Sequence, residues 1–106
     1  MRIGRVTKLR AECEQAYIEL HRALWPEVEV AIRSFGIRNY SIYLHDGTLF
    51  SYYELEPGVT PEQLAQRWEE DDACMRWETI VAEMQASPVE DPDARWIPMR
   101  EIFHQD

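Results

Sequence analysis

The sequence predicts an α+β domain whose elements run strand, helix, strand, strand, helix, strand. Three observations carry this. Residues 37–45 and 48–56 are strand-like segments around Asp46-Gly47, a pair that marks a tight hairpin. Apolar residues recur at helical spacing on both sides of that hairpin. Strand-like segments at 2–10 and 95–103 close the two ends. At 106 residues the chain fits one domain, 1–106.

The first strand, 2–10, carries apolar Ile3, Val6 and Leu9. From Glu12 the period changes. Cys13, Ala16, Tyr17, Leu20 and Leu24 form one helical stripe. Trp25-Pro26 interrupts it, because the residue before proline is pushed out of the helical region. Pro26 suits the first turn of a second helix, with Val28, Ala31, Ile32 and Phe35 as its stripe and Gly36 as its stop. The hairpin 37–56 follows, and Pro57-Gly58 ends it. Thr60-Pro61-Glu62-Gln63 reads as a capped helix start. Leu64 and Trp68 share its face; Glu69-Glu70-Asp71-Asp72 breaks the helix and caps the next, whose stripe is Cys74, Trp77, Val81 and Met84. Residues 87–93 read as a loop and 95–103 as the last strand, with Ile97, Met99 and Phe103 on one face. This order is the split βαβ, or ferredoxin-like, arrangement: a four-stranded antiparallel sheet with helices on one face. The open face is then expected to carry aromatic residues such as Tyr40 or Tyr43. Pairing sheet to sheet in a homodimer is the economical way to cover it.

The net charge is −9, and the acids concentrate in residues 54–94, so nucleic acid and anionic membrane surfaces are poor partners. Cys13 and Cys74 have no zinc or disulfide-scaffold spacing and read as reduced thiols. No stretch resembles a signal peptide or a membrane span, so a cytoplasmic protein is expected. The dinucleotide, phosphate-loop and serine-hydrolase motifs are absent, which argues against nucleotide cofactors and serine-hydrolase chemistry, and three histidines scattered over three elements make no metal site.

The chemistry-bearing feature is a ladder along the first helix: Tyr17, His21 and Trp25, each one turn apart. A helical histidine is by itself a common surface or core residue; the flanking aromatic rings raise the functional reading to parity. His45 at the hairpin and His104 near the end read as solvated, and so does the 69–72 acidic run. Aromatic faces beside an imidazole suit a sugar, whose C–H faces pack on rings and whose hydroxyls take hydrogen bonds.

The string Tyr17-x-x-x-His21-x-x-x-Trp25-Pro26-Glu27, with Asn39-Tyr40-Ser-Ile-Tyr43-Leu44, Cys74-Met-Arg76-Trp77 and Arg100-Glu101-Ile102-Phe103, resembles the L-rhamnose mutarotase family over essentially the whole chain. The resemblance implies a dimeric α/β barrel of ferredoxin-like subunits without a cofactor, exchanging the α and β anomers of a 6-deoxy aldose. It implies His21 as the catalytic acid, giving a proton to the ring oxygen, and Tyr17, Tyr40 and Trp77 as sugar-binding residues. The family often carries a second Trp after the one at 77; this chain has Glu78 there, a further candidate for sugar contact. L-rhamnose is the first expectation for the substrate and L-fucose the second. A Tyr phenol, a water or Glu78 is the complementary base. Two other readings share the fold: a monooxygenase-like dimeric barrel acting on an aromatic or haem-like ligand, and a non-catalytic sugar-binding module.

Overall fold

A computed structural model describes residues 1–106, with strand β1 (Arg2–Leu9) at the middle of the sheet. β1 is followed by a short 3₁₀ turn (Ala11–Cys13), helices α1 (Glu14–Arg22) and α2 (Pro26–Ser34), and the hairpin β2 (Ile37–His45) and β3 (Thr48–Leu55). Helices α3 (Pro61–Glu69) and α4 (Asp72–Met84) come next, then two short strands, β4 (Gln85–Ala86) and β5 (Ile97–Met99). The strand order is β2-β3-β1-β4, all antiparallel, with β5 on the same edge of β1 as β4. This is the expected split βαβ order.

The last strand differs from the expected 95–103. Gln85 and Ala86 pair with Leu9 and Lys8, and Ile97 to Met99 pair with Val6 to Gly4. The fourth strand is therefore one edge track along β1, interrupted by an excursion over 87–96. Pro98 sits in it because an edge strand tolerates a missing donor. Residues 100–106 are in no strand, and Phe103 is 79% exposed instead of lying on a face with Ile97 and Met99.

Local chemistry explains the joints. Asp46 and Gly47 both take positive φ (49° and 74°), as a two-residue hairpin turn with right-handed strand twist requires. Trp25 is extended (ψ 130°) ahead of Pro26, which ends α1 early. Thr60 and Gln63 form a reciprocal capping box, and the Asp71 carboxylate accepts the Cys74 N–H at 2.9 Å. These caps separate α3 from α4.

A bulge in β2 sets which side chains meet the helices. Arg38 pairs with Glu54 and Ser41 with Tyr52, so Asn39 and Tyr40 together oppose the single residue Tyr53. Asn39 takes φ 53°, a left-handed value its short polar side chain tolerates. Because side chains alternate with a period of two, the extra residue reverses the faces beyond it. Ile37 before the bulge and Tyr40, Ile42 and Leu44 after it all line the helix side. Of the two tyrosines offered for the open face, Tyr40 or Tyr43, only Tyr43 is there, 66% exposed; Tyr40 lines the cavity.

The helix side holds two small apolar clusters. Leu9, Tyr17, Val28, Leu49, Ala73, Trp77 and Val81 form one; Ile37, Tyr53, Leu55 and Leu64 form the other. No helix is long and apolar enough to cross a membrane.

Gly36 ends α2 with φ 90°, and a Cβ there would stand 2.8 Å from Val59 Cγ2. Gly36→Ala is expected to cost roughly 1–3 kcal/mol from backbone strain alone, with more from the clash. Denaturant unfolding checks it; a loss below about 0.5 kcal/mol would contradict this account of the joint.

Candidate active site

A cavity of about 1200 Å³ opens between sheet and helices, with Ile32 packing against both clusters beside it. Its walls include Tyr17 and Trp77 from one cluster and Ile37, Tyr53 and Leu64 from the other. All five candidate residues from the sequence, Tyr17, His21, Tyr40, Trp77 and Glu78, border this cavity.

The helical spacing of Tyr17 and His21 brings their rings together, with centroids 4.2 Å apart. His21 Nδ1 lies 2.8 Å from the Tyr17 carbonyl oxygen. A carbonyl only accepts, so Nδ1 carries the proton and donates it. In the neutral ring Nε2 then holds the lone pair, and no protein group engages it. Burial lowers the His21 pKa below the ordinary 6.5, and the bond to the carbonyl opposes that only in part. The Trp77 indole meets the imidazole edge-on, at 5.2 Å and 74°, and Trp25 meets Trp77 the same way at 5.3 Å and 80°. Trp25 thus takes its place in the ladder as a buttress behind Trp77. Trp77 itself is only 6% exposed, so it offers the cavity a narrow strip of ring.

The two phenols differ in anchoring. Tyr17 is 4% exposed, and its oxygen accepts a hydrogen bond from Gln85 Nε2 at 3.3 Å, which leaves its own O–H free to donate. Burial pushes the Tyr17 phenol up to about 12. Tyr40 packs on Tyr53 at 5.2 Å, and burial raises its pKa as well, with the Arg5 guanidinium opposing. Both phenols stay protonated near neutral pH. Glu78 is exposed at the rim, and its carboxylate accepts the Trp68 indole N–H at 3.0 Å.

Four lining residues were missed by the sequence reading. Trp68 was read only as a core-facing helix residue; its contact with Glu78 bridges α3 and α4 and has no periodicity signal. Gln85 and Trp96 lie on the interrupted edge strand and its excursion. Arg5 is an inward residue of β1, and its guanidinium carbon lies 5.1 Å from the ring centres of both Tyr53 and Trp96. Strand alternation from Ile3 would have placed Arg5 on that face. His45 lies in the exposed hairpin and His104 bonds Asp106 at 2.7 Å, both away from the cavity. Cys74 is fully buried, and burial pushes its thiol up to about 12, so it is inert; Cys13 is also a free thiol.

A family model described as L-rhamnose mutarotase matches residues 2–105. The chain belongs to the L-rhamnose mutarotase family. An L-rhamnose mutarotase of Lactiplantibacillus plantarum is 31% identical over 108 residues, covering 100% of this chain and 99% of the relative. One from Opitutus terrae is 33% identical over 105 residues, covering 95% and 94%. Among solved structures, an L-rhamnose mutarotase from Formosa agariphila superposes with a TM-score of 0.78 at 25% identity, covering 100% of this chain and 99% of that one. Tetracenomycin F2 cyclase from Streptomyces glaucescens shares the fold at a TM-score of 0.65 and 14% identity. That last likeness shows fold alone, and the match of the whole chain to the mutarotase family disfavours the monooxygenase-like reading.

The lowered His21 pKa has a consequence for stability. The unfolded chain binds the His21 proton more readily than the folded one, so stability falls as pH drops below 6.5, until the folded imidazole is also protonated. The two carboxyls with lowered pKa, Glu54 and Glu101, give up their contribution only below 4.5. Urea midpoints between pH 7.5 and 5 should therefore decline in the wild type and decline less in His21→Gln. Equal slopes would contradict the burial of a neutral His21.

Proposed function

We propose that this chain is a sugar mutarotase that interconverts the α and β anomers of a 6-deoxy aldose, L-rhamnose before L-fucose, with His21 as the proton-exchanging group. The observation that carries this is the His21 imidazole: anchored through Nδ1, free at Nε2, and set in an aromatic-lined cavity with ample room for a monosaccharide. Family membership supplies the reaction class.

Anomer exchange breaks the bond between the anomeric carbon and the ring oxygen, then remakes it after rotation. The ring oxygen gains a proton on opening and gives it back on closing. His21 Nε2 serves both steps. The imidazolium donates to the ring oxygen; the neutral imidazole recovers that proton as the ring closes on the other face. A depressed pKa makes the imidazolium a stronger donor while keeping the neutral form abundant. The proton of the anomeric hydroxyl needs a separate acceptor. The protonated phenols of Tyr17 and Tyr40 suit donation to hydroxyls better than this task, so we assign it to water at the rim, beside the Glu78 carboxylate. Trp77 supplies an apolar strip for the C–H face. A 6-methyl group favours these aromatic walls over the rim.

We further propose that the 1–106 domain works as a cytoplasmic homodimer paired through the outer sheet face. Tyr43, Phe50 and Met99 stand exposed there, and Ile102 and Phe103 of the tail add uncovered apolar surface. Sedimentation should give a dimer at micromolar concentration, and Phe50→Glu should yield monomers. A wild-type monomer would refute the pairing.

Saturation transfer between the anomer signals of L-rhamnose, L-fucose and D-glucose tests the activity. Exchange on the 6-deoxy sugars should exceed the uncatalysed rate, and His21→Ala should lower it about 10²–10⁴-fold with the fold retained. Full activity in that variant would remove His21 from the reaction. Sugar binding without exchange in the wild type would favour the non-catalytic module instead.

A further inference from the structure

Two side-chain polar atoms in the chain are buried without a hydrogen-bond partner, Arg5 Nε and Ser51 Oγ. They are not scattered. Arg5 and Ser51 are paired residues in the β1–β3 register, so both project from the same spot on the inner face of the sheet. Buried polar groups in native proteins are nearly always satisfied, and an exception asks for an explanation.

Arg5 is also a cation without an anion. The ion pairs of the structure join Arg2 to Glu101, Arg38 to Glu56 and His104 to Asp106; none involves Arg5. The guanidinium is held between the rings of Tyr53 and Trp96 and lines the cavity. Such a clamp fixes the guanidinium plane and offsets part of its desolvation, but it makes none of its hydrogen bonds. With Nε closed off, only the forked Nη end can meet a ligand, and the Tyr40 phenol lies near enough to interact with the same guanidinium. Arg95, another arginine lining the cavity, differs: its Nε and Nη1 are spent on the carbonyls of Ala82, Pro92 and Ala94.

We infer that Arg5, backed by Ser51, is a specificity-determining residue that takes one ring-hydroxyl oxygen of the sugar at the cavity floor. This rests on the mutarotase reading and adds to it the group that fixes the sugar's orientation. His21 Nε2 is the proton exchanger in the aromatic wall; Arg5 is a permanent donor on the sheet. A sugar held by one hydroxyl at Arg5 presents its ring oxygen in one register, and a sugar lacking that hydroxyl leaves a buried guanidinium unpaired.

The test compares wild type with Arg5→Met on L-rhamnose and on its monodeoxy derivatives lacking the hydroxyl at C2, C3 or C4. KM and kcat come from anomer exchange, and affinity from direct titration. The wild type should reject one derivative about 10–100-fold, the size of a lost hydrogen bond to a charged group. Arg5→Met should weaken L-rhamnose by the same factor in KM, hold kcat within a few-fold, and no longer distinguish that derivative. Its melting temperature should be equal or higher, since the unpartnered Nε leaves the interior. A purely structural role would instead lower stability and weaken every sugar alike, and that result overturns the inference. So does an Arg5→Met protein with wild-type KM and selectivity. Should Arg5→Met not fold, Arg5→Lys keeps the charge and loses the fork; wild-type selectivity in Arg5→Lys overturns the inference, and lost selectivity for the one derivative supports it. A wild type that binds L-rhamnose without exchanging its anomers defeats the mutarotase reading but leaves the affinity arm of this test intact.

Discussion

The bulge at Asn39 and Tyr40 is the constraint on which the site depends. A strand places alternate residues on opposite faces, and β2 needs Ile37 and the set Tyr40, Ile42, Leu44 on the same one. Those positions are out of phase by one residue. Inserting Asn39 in a left-handed conformation corrects the phase and turns Tyr40 toward the cavity, against Tyr53. Without that insertion either Ile37 leaves its cluster or Tyr40 leaves the site. Bulges recur beside active sites because they re-aim one side chain without disturbing the ladder elsewhere.

The helices complete what the bulge begins. Two apolar clusters, one under α1, α2 and α4 and one under α3, anchor the helices to the sheet on either side of an open space. Only 17 of 106 residues of the single chain are buried, and both the cavity and the uncovered outer sheet face contribute to that. The aromatic residues do double duty there. Tyr17 and Trp77 belong to a cluster and also wall the cavity, which ties the position of His21 to the packing of the domain.

Much of this was legible in the sequence because it depends on local rules. The hairpin turn, the Pro26 break, the Thr60 capping box and the acidic junction at 69–72 each follow from neighbouring residues. The Tyr17–His21 pairing follows from the helical period. What was not legible depends on long-range geometry. The choice between Tyr40 and Tyr43 for the open face stayed open because a bulge has no fixed residue signature beyond a tolerant Asn. The final strand was read as 95–103 because alternation cannot reveal that Gln85 and Ala86 begin the same edge track. Arg5 was passed over since a lone arginine in a short strand gains meaning only when Tyr53 and Trp96 close around it.

In the proposed reaction Nδ1 of His21 is tied to the Tyr17 carbonyl so that Nε2 meets the sugar. Long-range proton–nitrogen correlation spectra of the imidazole, recorded at neutral pH during titration with L-rhamnose, test it most directly. The free protein should carry the proton on Nδ1, and sugar should shift chiefly the Nε2 signal. A proton on Nε2 in the free protein, or ring nitrogens indifferent to saturating sugar, would contradict it.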